Sequence, residues 1–124
     1  MKEYIVKVYD DRTEWYNLKG ELHREDGPAF ESINGFKAWY LNGQRHREDG
    51  PAVEYNNGSK AWYLNGQRHR EDGPAIEYTD GHKSWWLHGE ILTENEFNKR
   101  TQPAVELTME EVIARLGYNV KIIK

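Results

Sequence analysis

A 23-residue period constrains this chain more than any other feature. Trp39, Trp62 and Trp85 are spaced by 23, and so are His23, His46 and His69. The string His-Arg-Glu-Asp-Gly-Pro-Ala occurs three times intact, at 23–29, 46–52 and 69–75. Trp15 precedes Trp39 by 24, because Tyr-Asn-Leu-Lys-Gly in the first copy carries one residue more than the later Tyr-Leu-Asn-Gly. Units of this length are single supersecondary elements that stack on their neighbours into a linear array.

Each unit carries two turn signals. One is Asn34-Gly35, repeated as Asn57-Gly58 and Asp80-Gly81. Asn-Gly and Asp-Gly tolerate positive φ and suit a two-residue type I′ hairpin turn. The other is the longer stretch from Asn-Gly through His-Arg-Glu-Asp-Gly to Pro, where proline restarts a strand. Short β-rich segments such as Ala-Val-Glu-Tyr and Lys-Ala-Trp-Tyr-Leu lie between the turns. The expected architecture is mainly β: a single-layer, curved antiparallel meander of repeated hairpins with a small C-terminal α+β cap. The expected array covers residues 1–92, with a leading hairpin at 1–22 and repeats at about 23–45, 46–68 and 69–92. A two-residue turn at Asn57-Gly58 sets Tyr55 opposite Lys60, Glu54 opposite Ala61 and Val53 opposite Trp62. Side chains alternate faces along a strand. One face then carries Val53, Tyr55, Lys60, Trp62 and Leu64, with Phe30, Trp39, Leu41, Ile76, Trp85 and Leu87 in the neighbouring repeats. This Trp face is the expected buried side. The other carries Ala52, Glu54, Ala61 and Tyr63, and its aromatic row of Tyr16, Tyr40, Tyr63 and Trp86 is expected to stay partly open.

The ends differ from the middle. Tyr4 to Tyr9 reads as a strand, Asp10-Asp11 as its turn, with Val6 facing Trp15. Residues 93–124 read as a helix-strand-helix-strand cap in the same domain. Thr93 with Glu96 forms one capping box, for a helix over about 94–100, and Thr108 with Glu111 forms a second, for a helix through Leu116. Pro103 to Leu107 is expected to pair with the Trp-Trp-Leu-His-Gly-Glu strand. Tyr-Asn-Val-Lys-Ile-Ile-Lys reads as a last strand, and Met109, Val112, Ile113 and Leu116 form an apolar stripe expected to cover the Trp face of the last unit.

Composition narrows the chemistry. The chain is 31% charged and 37% hydrophobic, with five Trp and eight Tyr, so its apolar content sits in a few large repeated anchors. Net charge is −4 with interleaved signs, and no basic stripe can track a phosphate backbone or an anionic membrane. Direct nucleic-acid and membrane binding are therefore not expected. The absence of cysteine excludes disulfides, Cys-based zinc sites and thiol nucleophiles. No cofactor and no metal are expected: neighbouring repeats lie roughly 9.6 Å apart, too far for equivalent His residues to share an ion at about 2 Å. No phosphate-binding loop, dinucleotide fingerprint, zinc-protease helix or nucleophile elbow occurs. Without an apolar run, the expectation is a soluble cytoplasmic protein.

The His-Arg-Glu-Asp loops read as structured turns in which Arg pairs with carboxylates, and His46, Arg47, His69 and Arg70 are the loop residues available for contact. With Tyr16, Tyr40, Tyr63 and Trp86 they form the candidate partner-binding set. A regular array with no symmetry-breaking site points to a non-catalytic protein-binding module. The alternative is a small-ligand binder that stacks a nucleotide or sugar. A homo-oligomeric contact is the other use of an open aromatic row.

The period, the string Trp-Tyr-Leu-Asn-Gly-Gln-Arg-His at 39–46 and 62–69, and the Asn-Gly turn resemble the MORN repeat over roughly residues 12–92. The MORN His-Gly-x-Gly is here His-Arg-Glu-Asp-Gly-Pro-Ala, a longer and more charged loop. This longer form looks like repeats in small proteins of phages, bacteria and large viruses. The resemblance implies a meander of hairpins, a binding or scaffolding role and no catalytic residues. It also implies, as a specific version, a viral accessory protein or inhibitor acting on a host or defence protein in the host cytoplasm.

Overall fold

The computed structural model describes residues 3–102 and 107–116. A leading hairpin, β1 (Ile5–Val8) and β2 (Arg12–Tyr16), turns at Asp10-Asp11 and sets Val6 opposite Trp15, as the sequence indicates. The first full repeat supplies β3 (Phe30–Ser32), β4 (Lys37–Ala38), β5 (Tyr40–Leu41) and β6 (Gln44–Arg45). The second supplies β7 (Val53–Glu54), β8 (Lys60–Ala61), β9 (Tyr63–Leu64) and β10 (Gln67–Arg68). The third supplies β11 (Ile76–Glu77), β12 (Lys83–Leu87) and β13 (Glu90–Leu92), and two helices follow, α1 (Glu94–Thr101) and α2 (Met109–Leu116).

Nine of these strands form one antiparallel meander in the order β1-β2-β3-β4-β7-β8-β11-β12-β13. Each repeat therefore adds two strands to the sheet and then leaves it at the Trp. The Trp-Tyr-Leu-Asn-Gly-Gln-Arg segment folds into a second hairpin, β5-β6 in one repeat and β9-β10 in the next. Its turn is the type I′ one. Asn42 and Gly43 have φ of 49° and 80°, and Asn65 and Gly66 repeat this at 50° and 80°. Asn is among the few side chains that tolerate the left-handed region.

The other Asn-Gly forms a different loop, which corrects the register. Across Asn56-Asn57-Gly58 the Tyr55 amide donates to Ser59 O and the Gly58 amide to Tyr55 O, both at 2.9 Å, with Gly58 at φ 94°. This is a three-residue loop, a type I turn closed by a left-handed glycine bulge. The Asn57 carboxamide accepts from the Ser59 amide at 2.9 Å and holds the extra residue. Val53 consequently lies opposite Ala61, not Trp62, and Glu54 lies opposite Lys60, not Ala61. One inserted residue moves a strand's side chains to the other face.

Two strips follow from that register. One runs Phe30, Ala38, Val53, Ala61, Ile76 across successive strands, and Ala38, Val53, Ala61 and Ile76 are buried. Tyr63 joins this core and is 8% exposed. The other runs Glu31, Lys37, Glu54, Lys60, Glu77, Lys83, so that opposite charges face each other at every strand pair. The buried side is thus the Tyr63 side. The Trp side, expected to be sealed, carries the charge ladder and the His-Arg-Glu-Asp loops.

The C-terminal end only partly matches expectation. Both capping boxes form, at Thr93/Glu96 and Thr108/Glu111. It is α1 that packs on β12 and β13, burying Phe97 at 4% and Leu92 at 6% exposure. The stripe on α2 does not cover the last unit: Met109, Ile113 and Leu116 are exposed at 54%, 38% and 72%. Nearest in sequence to the array, α1 takes the capping role. The expected strands at 103–107 and 118–124 fall almost wholly outside the described residues.

Candidate functional site

The three His-Arg-Glu-Asp-Gly loops have one construction. In the middle copy the Arg47 guanidinium lies over the Trp39 ring, 4.0 Å from its centroid. Its Nε donates to Asp49 at 2.9 Å and a terminal nitrogen to Pro51 O at 3.1 Å. The Asp49 carboxyl is held below its ordinary range by this hydrogen bond and the positive charge behind it. Gly50 closes the loop by close approach, since a Cβ there would stand 3.0 Å from Arg47 Cζ. Arg24 on Trp15 and Arg70 on Trp62 repeat the arrangement at 3.9 Å and 3.8 Å.

The loop histidines join one repeat to the next. His46 Nδ1 accepts from the Asn65 amide, and His69 Nδ1 from the His88 amide, each at 2.9 Å. The donors are the first residues of the next repeat's type I′ turn. The Gly66 amide donates to Arg45 O, and the Arg47 amide to Tyr63 O, beside them. His69 is 5% exposed and serves as an internal acceptor.

Between successive loops lie two open grooves. The first, of about 630 Å³, has Trp39 and Leu41 in its floor, Arg24 to Gly27 on one wall and His46 to Asp49 on the other. The second, of about 690 Å³, has Trp62 and Leu64 in its floor, Arg47 to Gly50 on one wall and His69 to Asp72 on the other. Adding 23 to every lining residue of the first gives the second. Charge in the second groove is layered. Glu48, Asp49, Glu71 and Asp72 side chains are 84%, 87%, 77% and 86% exposed, whereas Arg47 and Arg70, pressed on Trp rings, are 23% and 21% exposed. An approaching ligand meets carboxylates first.

Of the residues singled out from sequence, His46, Arg47, His69 and Arg70 line these grooves. Tyr16, Tyr40, Tyr63 and Trp86 do not. Tyr40 and Tyr63 share Arg45, whose Nε is 3.4 Å from the Tyr40 hydroxyl and whose terminal nitrogen is 3.4 Å from that of Tyr63. Arg68 reaches the same Tyr63 hydroxyl at 3.2 Å and lies over the Trp86 ring. Tyr16 donates to Glu14 at 3.0 Å, and burial together with that carboxylate raises its pKa. Tyr16, Tyr40 and Trp86 are thus partly open, as expected, whereas Tyr63 is buried, and Arg45 and Arg68 tie Tyr40, Tyr63 and Trp86 together. The tyrosines open on that side are Tyr55 and Tyr78, 39% and 50% exposed. The groove floors Trp39, Leu41, Trp62 and Leu64 and the wall carboxylates went unassigned as contacts. The signal for them was present: Arg47 and Arg70 each follow a Trp by eight residues and precede a Gly by three.

Among the described residues no three His, Asp or Glu side chains converge as metal ligands would, and no helix is long and apolar enough to cross a membrane. No protein-family model matches the chain, and no curated protein or solved structure matches it either.

Proposed function

We propose that this protein is a non-catalytic protein-binding module that engages its partner through the two loop-lined grooves. The observation that carries this reading is their duplication: two open sites, each lined by ten residues that match one for one, lie one repeat apart on one face. An enzyme needs paired groups held in different environments. Here every titratable residue lining one groove recurs 23 residues later, which suits repeated contact better than turnover. Half-buried Trp rings beneath a charged rim supply the apolar anchor and polar border of a binding surface. By its resemblance to repeats of phage and large-virus proteins, the partner is a host or defence protein, and the chain an accessory protein or inhibitor.

The test is affinity capture compared between the parent chain and Glu48→Lys/Glu71→Lys. Both side chains are exposed, so the variant should fold. A partner retained by the parent and lost by the variant supports the proposal, and a partner held equally by both overturns it. A second reading, a small-ligand site, is favoured by groove volumes within the range of ligand pockets. It requires a thermal shift with a nucleotide or sugar, abolished in Trp62→Ala.

A further inference from the structure

The chain carries its own sample of a groove occupant. Among the described residues no loop of this kind precedes the first, and Tyr4 packs at that place. Its ring meets Trp15 edge-on at 5.4 Å and stacks on His23 at 6.1 Å. The Glu25 amide donates to its hydroxyl at 3.3 Å. Trp15, His23 and Glu25 are the first-copy versions of Trp39, His46 and Glu48, and of Trp62, His69 and Glu71.

Register shows why the later copies stay open. Val6 lies opposite Trp15, so Tyr4 falls opposite the residue two beyond that Trp. The same count from Phe30 opposite Ala38 and from Val53 opposite Ala61 places Gly27 and Gly50 there. The phenol of the first unit is replaced by glycine in the next two, and both glycines line the grooves. Among the described residues no aromatic ring packs on Trp39 or Trp62 as Tyr4 packs on Trp15.

From this we infer that each groove is a socket for a tyrosine side chain of the partner, set in a basic segment of its chain. The ring takes the place of Tyr4: its edge or face on the Trp, its hydroxyl on the amide of Glu48 or Glu71. The basic flanks follow from charge complementarity, since the groove rims expose carboxylates while their guanidiniums lie beneath. Spacing gives the register. Successive grooves are two strands, roughly 9.6 Å, apart. One turn of a polyproline II helix advances about 9.3 Å in three residues and returns to the same side. A Tyr-x-x-Tyr segment in that conformation presents both rings to both grooves.

The inference rests on the grooves being the interface, and the experiment separates the two. The probe is acetyl-Lys-Tyr-Pro-Pro-Tyr-Lys-amide, titrated into the full chain while the indole N–H signals of Trp39 and Trp62 are followed by NMR. Saturable shifts of both signals are expected. Replacing both Tyr by Phe should weaken binding about tenfold, the effect of losing a hydrogen bond per site. Glu48→Lys/Glu71→Lys should weaken binding by a similar factor without changing the fold, whereas Trp62→Ala should remove one site. No shift at millimolar peptide, equal binding of the Phe peptide, or equal binding of the peptide with Asp in place of Lys overturns the tyrosine assignment. If that happens while partner capture still depends on Glu48 and Glu71, only this inference fails. If capture too is indifferent to them, the grooves are not the interface.

Discussion

At the scale of single residues, the arginine clasp and the histidine acceptor hold the loops in place. Gly50→Ala puts a methyl group 3.0 Å from a guanidinium fixed by a ring, a carboxylate and a carbonyl. Such overpacking should cost about 1–3 kcal/mol, read as a lower urea midpoint with unchanged slope. His69→Ala leaves the His88 amide without its acceptor inside a repeat junction. A loss of about 1–3 kcal/mol is expected, and the His88 amide should exchange faster than that of Asn65, whose own acceptor, His46, is intact. The Asp49 arm of the clasp depends on pH. Its folded pKa lies below the ordinary 3.8, so its contribution is complete above that value and fades as pH falls through the lower folded one. Asp49→Asn should remove that acid-side dependence from the stability of the middle loop.

At the scale of elements, the residues a loop takes out of its strands decide which side chains face the core. Asn56 belongs to the loop, so strand pairing starts at Tyr55 and Ser59. Deleting Asn56 shortens the loop to Asn57-Gly58 but leaves Glu54 opposite Lys60 and Val53 opposite Ala61. Val53 stays in the core, and the variant should still unfold cooperatively. Converting Leu18-Lys19-Gly20 to Asn-Gly is the matched case, because the later units already use a two-residue loop at this place. It should fold with unchanged near-ultraviolet dichroism. Here lies the limit of the sequence reading. Period, strands, leading hairpin and both helix caps could be read from spacing and capping chemistry, because those signals are local. Face assignment could not, because the first two repeats each hold two Asn-Gly pairs and the dipeptide alone does not say whether a third loop residue precedes it. The candidate site split the same way. His46, Arg47, His69 and Arg70 belong to the grooves, since the loop string marked them. Tyr63 sits in the core as a consequence of the shifted register. At the C-terminal end, Phe97→Ala should cost about 3–5 kcal/mol, since that ring fills the contact of α1 with the last hairpin.

At the scale of the whole molecule, the array behaves as a sum of units and junctions. Removing residues 46–68 joins Arg45 to His69 in register and leaves one groove between two ends that still match. The variant should unfold cooperatively at a lower temperature and, in the titration above, bind a single ring. The charge ladder through Lys37, Glu54, Lys60 and Glu77 has a less obvious effect. It is usual for such pairs to make one alignment of strands better than its neighbours. Here the ladder reads the same after a shift of one repeat, so it rejects a slip of one strand yet is blind to a slip of two. The junction of β4 with β7 is chemically the junction of β8 with β11. A chain opened at either joint offers another chain an edge as good as the one it lost. Among the described residues, features that do not repeat, such as Tyr4, the longer Leu18-Lys19-Gly20 loop and α1, are what distinguish one side of the array from the other. Refolding at high concentration should therefore yield exchanged dimers and longer ladders in steps of one repeat, from a protein that is faultless in every local contact.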